Sequence, residues 1–225
     1  EDAQELAEIM VAIGTDAGRD TIALLSDMNQ PLGCAVGNAL EVVEAVETLK
    51  GAGPNDFREH CLKLATYMVE LAGQGEKWTD HKVLRQELED TLKNGQAYEK
   101  FKLMVEAQQG DIRMLDDTSL LPKADIIHDV YASKNGNIAT VTADDVARAA
   151  LALGAGRQAK GDAIDYAVGV EVLVNVGDAV NEGNLLARIH ANSEDSLKSA
   201  QEYIDNAIQI TDDSVEPLPL FYGVI

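Results

Sequence analysis

Residues 1 to about 110 contain one strand-length apolar run, Thr21-Ile22-Ala23-Leu24-Leu25-Ser26, set among several helical stretches. A lone strand cannot form a sheet, because its backbone N–H and C=O groups need a neighbour to bond to. The run therefore borrows strands from the second half of the chain or pairs with strands outside these 225 residues, and the sequence leaves both routes open. Its unbroken apolar character suits a strand buried on both faces. Ahead of it, Ala3, Leu6, Met10 and Ile13 recur every three or four residues, the spacing of an amphipathic helix, with no start signal before them. The first residue is not Met, which reads either as the loss of a few disordered residues or as a fragment of a longer protein. After the run, 27–37 is a loop rich in turn formers. Asn38 followed by Glu41 resembles a capping box for a helix whose core face is Val42, Val43, Val46 and Leu49, with Gly51 near its end. A second helix is expected over 56–71, with Phe57, Cys61, Leu64, Met68 and Leu71 on one stripe. Two more follow around 79–93 and 96–108, separated by Asn94-Gly95.

From about 121 onward the pattern changes. Ile126-Ile127-His128-Asp129-Val130-Tyr131 is strand-like, and Lys134-Asn135-Gly136-Asn137 signals a hairpin. Thr142 with Asp145 starts a short helix carrying Val146, Ala149, Ala150 and Leu153 and stopping at Gly154. Val168, Val170, Val172, Val174 and Val176 alternate with Gly169, Glu171, Leu173 and Asn175, the period of a strand. Gly177-Asp178 and Glu182-Gly183 mark two turns, and 185–191 returns as another strand. Ser193 caps a last helix that turns Leu197, Ala200, Tyr203 and Ile204 inward, and a tail with Pro217 and Pro219 is extended. This half closes its own α+β core, whereas the first half is α/β, and residues 111–120, with Asp111, Asp116 and Asp117, make the linker.

Acidic side chains outnumber basic ones 39 to 18, for a formal charge of −21. Such a surface repels phosphate backbones and anionic lipid, which argues against nucleic-acid and membrane-surface partners. No apolar run nears the ~18 residues of a membrane span. Two cysteines, Cys34 and Cys61, fit a reducing, cytoplasmic setting better than a disulfide framework. No phosphate-binding P-loop, strand-anchored GxGxxG, CxxC, HExxH or GxSxG motif is present. His60 and His81 are expected on solvated helix faces, and His128 and His190 have no metal-ligand spacing. Gly154-Ala155-Gly156-Arg157, with Lys160 nearby, has the make-up of an anion cradle, but a glycine helix terminator explains it more simply. The turns over 176–186 resemble the hairpin of biotinyl and lipoyl carrier domains, without the modifiable lysine those carriers present. The loop Asp27-Met28-Asn29-Gln30-Pro31-Leu32-Gly33 follows the first strand, where α/β folds place ligands. Asp27 acts there as a ligand or as a turn cap, and its chemistry suits both.

Ser26 through Gly33, continuing in Ala35-Val36-Gly37-Asn38-Ala39-Leu40-Glu41-Val42, strongly resembles the pyrimidine nucleoside phosphorylase / thymidine phosphorylase family. The likeness continues in order through Thr48-Leu49-Lys50-Gly51, Gly53-Pro54, Asp111, Leu121-Pro122-Lys123-Ala124, Leu153 to Arg157, Ile164-Asp165-Tyr166-Ala167-Val168-Gly169 and Tyr222-Gly223. It is nearest to the bacterial broad-specificity enzymes, whose loop carries Gln-Pro-Leu-Gly. The resemblance implies the C-terminal half of such an enzyme: part of a phosphorylase/phosphoribosyltransferase-type α/β domain over 1–110, then the linker, then a barrel-sandwich-like α+β domain over 121–225. It implies reversible phosphorolysis of uridine, thymidine or deoxyuridine, with phosphate as co-substrate, by a cytoplasmic homodimer. The family's phosphate- and base-binding residues precede the matched region, so no catalytic or substrate-binding residue is assigned and the chain alone is expected to be inactive. Bacterial members also bind potassium, or calcium in some cases, near their hinge. By motif position this chain supplies the carbonyls of Leu32 and Ala35 and the carboxylate of Glu44, a half-site of hard oxygen donors. Weak or no cation binding is expected of the chain alone, together with exposed strand edges and apolar helix faces. The alternative is a non-catalytic structural or carrier-like binding module.

Overall fold

The computed structural model describes residues 2–74 and 80–225. Its first half runs α1 (Asp2–Asp16), β1 (Leu24–Ser26), β2 (Ala35–Val36), α2 (Asn38–Leu49) and α3 (Asn55–Val69). A wide helical turn, Glu70–Gln74, ends α3, and α4 (His81–Lys93) and α5 (Gln96–Ala107) follow. Thr79, the expected start of α4, lies outside the described residues; Asp80 caps the helix by accepting the Lys82 N–H at 2.8 Å. A one-turn α6 (Arg113–Asp116) leads into the second half: β3 (Ile126–Tyr131), β4 (Gly136–Val141), α7 (Ala143–Leu153), β5 (Gly169–Val172), β6 (Ala179–Val180), β7 (Leu185–Ala191), α8 (Glu194–Ala207), β8 (Ile208–Thr211) and β9 (Phe221–Val224).

The lone strand finds its partner at the far end of the chain. β1 pairs antiparallel with β9, Leu24 opposite Val224 and Leu25 opposite Gly223. β2 adds to the edge of β5, Ala35 opposite Glu171 and Val36 opposite Val170, in a sheet of order β2-β5-β7-β3. Neither strand pairs within its own half. β1 is also shorter than the apolar run, and its three residues are half-buried rather than buried on both faces. The described residues give it one neighbour, so one edge stays open.

Every sheet is antiparallel, and the third has order β6-β4-β8. Both larger sheets contribute to one core with α7 and α8, in which Ile138, Val146, Val168, Val170, Ile189 and Ile204 are wholly enclosed. The alternating valines hold their face as expected, Val168 to Val176 pointing inward, although the ladder itself ends at Val172. Ser193 caps α8 as expected, accepting the Ser196 N–H. The expected hairpin at Asn135-Gly136 is not one. β3 pairs with β7 and β4 with β6 and β8, so the turn carries the chain from one sheet to the other. Gly136 is needed for another reason: a Cβ there would collide with the Thr211 carbonyl of the adjoining strand.

The helical half has a smaller core, in which Val46, Tyr98 and Leu115 are buried and Val42, Leu49, Phe101 and Val105 pack on them. Leu115 belongs to α6, so part of the expected linker is packed into this core. The apolar stripe on α3 faces out, in line with the expected exposure of apolar helix faces: Leu64 and Met68 are 42% and 62% exposed. The α1 stripe does the same at Leu6, Met10 and Ile13. Among the described residues no second layer covers either face, and α3 buries Leu62 and Thr66 from its other side.

These two environments make opposite demands on substitution. Ile189→Ala leaves a cavity between sheet and helices and is expected to cost about 2–5 kcal/mol, lowering the urea midpoint. Met68→Ala on the exposed stripe is expected to stay within about 0.5 kcal/mol in the same measurement.

Candidate functional site

The loop from β1 to α2 is where the halves of the chain meet, and most of its polar steps are tied to another element. Asp27 is the one buried acidic or basic side chain among the described residues, 7% exposed. Its N–H donates to the Leu220 carbonyl at 3.1 Å. Its Oδ2 accepts the Asn29 N–H at 3.1 Å, and its Oδ1 accepts Asn29 Nδ2 and the Tyr222 hydroxyl, each at 2.7 Å. Of the two roles open to Asp27, the structure shows a turn cap that also fastens the C-terminal strand. Asn29 O accepts from Ala143 N at the start of α7, and Gln30 Oε1 accepts the Val176 N–H at 2.9 Å.

Beyond Pro31 the loop turns back over α2 and α3. The Gly33 N–H donates to Asp56 Oδ2 at 2.9 Å. Glu44 Oε1 accepts the N–H groups of Cys34 at 2.7 Å and Ala35 at 3.0 Å, while the Cys34 carbonyl accepts from Val172 N of β5. The side chain of Glu44 also lies against the bare Cα of Gly33, where any Cβ would meet its Oε2, and Gly33 has φ +71°. One half of the expected capping box is present: Glu41 Oε1 accepts the Gly37 N–H at 2.9 Å. Gly37 takes the cap position one residue early, which frees Asn38 Nδ2 to reach the Ala155 carbonyl at 2.8 Å.

The residues assigned to a cation are thus neighbours in space as well as in motif. Glu44 binds the backbone of Ala35 directly and abuts the residue after Leu32. Glu41, Glu44 and Asp56 lie near one another, and among the described residues none of them is in a salt bridge with Lys, Arg or His. Burial is the main cause holding the Glu44 carboxyl above its ordinary value, with the charges of Asp56 and Glu41 adding to it. The two amide hydrogen bonds oppose that shift. Burial, then the charges of Glu44, Asp56 and Glu171, push the Cys34 thiol up to about 11. This surplus of negative charge is of the kind that attracts a hard cation. Among the described residues no three His, Cys, Asp or Glu side chains form a cage, so such an ion depends on carbonyls for much of its shell.

Four of the remaining sequence candidates have structural partners. His60 does not sit on a solvated face but stacks on Phe221 of β9, with ring centroids 5.2 Å apart. His190 Nε2 lies 2.8 Å from Glu171 Oε2, and Arg188 bridges Asp129 and Glu171 at 2.7 and 3.9 Å. The hydrogen bond from His190 is the first cause keeping Glu171 below its ordinary value. Gly154 ends α7, and the Ala155 N–H is spent on the Ala150 carbonyl, as a helix terminator requires. His81, exposed as expected, meets Glu70 at 3.1 Å. Sequence reasoning missed Tyr222 and Asp56 as members of the loop's bonding network. Only the family-like Tyr222-Gly223 pair hinted at the first, and nothing local marked the second.

Residues 137–211 match the family profile described as the pyrimidine nucleoside phosphorylase C-terminal domain. Over 224 residues the chain is 45% identical to the pyrimidine-nucleoside phosphorylase of Geobacillus stearothermophilus, covering 100% of this chain and 51% of that protein. Over 206 residues it is 46% identical to the protein of the same name from Bacillus subtilis (strain 168), covering 92% and 47%. The pyrimidine-nucleoside phosphorylase of Staphylococcus aureus (strain USA300) is 42% identical over 217 residues, covering 96% and 49%. The chain therefore spans about half the length of the curated relatives it matches.

Two measurements probe this loop. Removing the acceptor in Glu44→Ala leaves the Cys34 and Ala35 amides without their bonds and is expected to cost about 1–3 kcal/mol by urea unfolding, with Glu44→Gln costing less. A disulfide reagent at pH 8 is expected to modify the exposed Cys61 well before Cys34. Because the folded Cys34 pKa is raised from 9.0 to about 11, the stability tied to its thiol is retained through neutral pH and lost as the pH climbs from about 9 to about 11.

Proposed function

Because the chain belongs to the pyrimidine nucleoside phosphorylase family, matching the C-terminal half of its members, we propose that it contributes the cation loop and C-terminal lobe of such an enzyme. The complete enzyme then catalyses reversible phosphorolysis of uridine, thymidine or deoxyuridine. A phosphate oxygen forms a bond to the anomeric carbon, the bond from that carbon to the pyrimidine nitrogen breaks, and the base leaves with the bonding electrons and takes up a proton. The observation that carries this reading is the 45% identity maintained over the whole chain. The enzyme is a cytoplasmic homodimer in this proposal, and the groups that bind phosphate and base lie outside residues 1–225.

The chain's own residues act on position rather than on bonds. The carbonyls of Leu32 and Ala35 and the Glu44 carboxylate hold potassium, or calcium, and Glu44 simultaneously fixes the loop through the Cys34 and Ala35 amides. When bound, the ion supplies positive charge amid three carboxylates and so stiffens the region about which the complete enzyme closes. Closure of this kind excludes water, which would otherwise compete with phosphate for the anomeric carbon.

The test is phosphorolysis of uridine, followed by release of free uracil. The chain alone is expected to be inactive, and a chimera joining it to the N-terminal half of the B. subtilis protein is expected to be active. Activity of the chain alone would overturn the assignment of phosphate and base binding to other residues. In the active chimera, Glu44→Gln is expected to raise the potassium concentration needed for half-maximal activity by about tenfold or more.

A further inference from the structure

Asp27 and Tyr222 stand almost a full chain length apart in sequence, yet the Tyr222 hydroxyl lies 2.7 Å from Asp27 Oδ1. Asp27 is buried, takes its hydrogen bonds from neutral donors, and is in no salt bridge with Lys, Arg or His among the described residues. One of those donors, the Tyr222 hydroxyl, comes from β9, the strand that also closes on β1. A cavity of about 260 Å³ lies behind the loop, walled by Asp27, Pro31 and Leu32 on one side and by Pro217 and Leu220 on the other. A second, of about 660 Å³, lies before it and has Asp27, Asn29 and Tyr222 in its wall. Flanked by these openings, the start of the loop is positioned mainly by its hydrogen bonds: to Leu220 and Tyr222 at Asp27, to Ala143 at Asn29 and to Val176 at Gln30. Pro31 and Leu32 follow directly and, among the described residues, have no such tie of their own until Gly33 meets Asp56.

We propose that Tyr222 is a positioning residue, its hydroxyl holding Asp27 so that the backbone of 31–35, which carries the carbonyls assigned to a cation, keeps the Cys34 and Ala35 amides on Glu44. The inference rests on the cation reading for its purpose and on hydrogen bonds alone for its existence. Tyr222 is 57% exposed, so the hydroxyl is removable with little disturbance of packing. The carboxylate of Asp27 holds the Tyr222 phenol above its ordinary value, which keeps the donor protonated.

The experiment is amide hydrogen exchange, followed residue by residue in potassium-free buffer on the chain as it stands. Tyr222→Phe is expected to speed exchange at Gly33, Cys34 and Ala35 about tenfold, through local opening of the loop, while amides of β7 and α8 keep their rates. Tyr131→Phe is the control. It deletes a hydroxyl that also bonds an aspartate, Asp129 at 3.2 Å, on the exposed end of β3, and it is expected to leave the loop amides unchanged. Unaltered loop exchange in Tyr222→Phe overturns the proposal, and so does a uniform rise across the whole chain. Because no potassium is present, this outcome is independent of the cation reading, which the titration of the chimera decides.

Discussion

Backbone polar groups must be paired, and in this chain the pairing cannot be completed within either half. Ala35-Val36 bonds to Val170-Glu171, and Leu24-Leu25 bonds to Gly223-Val224. Both contacts reach from the helical half into strands laid down much later in sequence. The loop over 27–37 lies between these two short pairings, and its position follows from them. Glu44, Asp56 and Asp27 then do from the side-chain end what a ladder would do in a regular strand, accepting N–H groups that a loop leaves over.

The electrostatics follow from the same constraint. Collecting loop amides onto carboxylates draws Glu41, Glu44 and Asp56 together in a partly desolvated corner. Their repulsion is offset in part by hydrogen bonds and, among the described residues, not by a salt bridge to Lys or Arg. The Asp129–Arg188–Glu171 row lies on the adjoining sheet, with Glu171 opposite Ala35, and Arg188 pairs with both carboxylates. The charge of Glu171 still reaches the Cys34 thiol, so the surplus of negative charge extends from Glu44 and Asp56 to the sheet edge beside the loop. That is where an added cation has the most to contribute, because attraction grows as the local dielectric falls.

Periodicity made the second half legible. The valines from 168 to 176, the Ser193 cap and the buried row on α8 are local patterns, and local patterns survive folding when one face is covered by the chain's own core. Two readings failed for one shared reason, namely that their outcome depends on distant partners. Asn135-Gly136 has hairpin chemistry, but β7 and β8 compete for the flanking strands and win. His60 has an ordinary helix-surface setting until Phe221 arrives from the C-terminus. At the loop, Glu44, Leu32 and Ala35 came from family likeness, while Tyr222 and Asp56 became visible only once the fold placed them.

The pairing of β1 with β9 also bears on how the molecule is assembled. Leu24 meets Val224, so β1 waits for a strand about 200 residues later in the sequence before it has a partner. Contacts of such separation form late, because closing a long loop of chain carries an entropic cost that only prior compaction reduces. The second half, with its own enclosed core, is able to fold ahead of that closure. Asp27 then receives its tyrosine donor late, and the loop takes its final form only once β9 has joined β1.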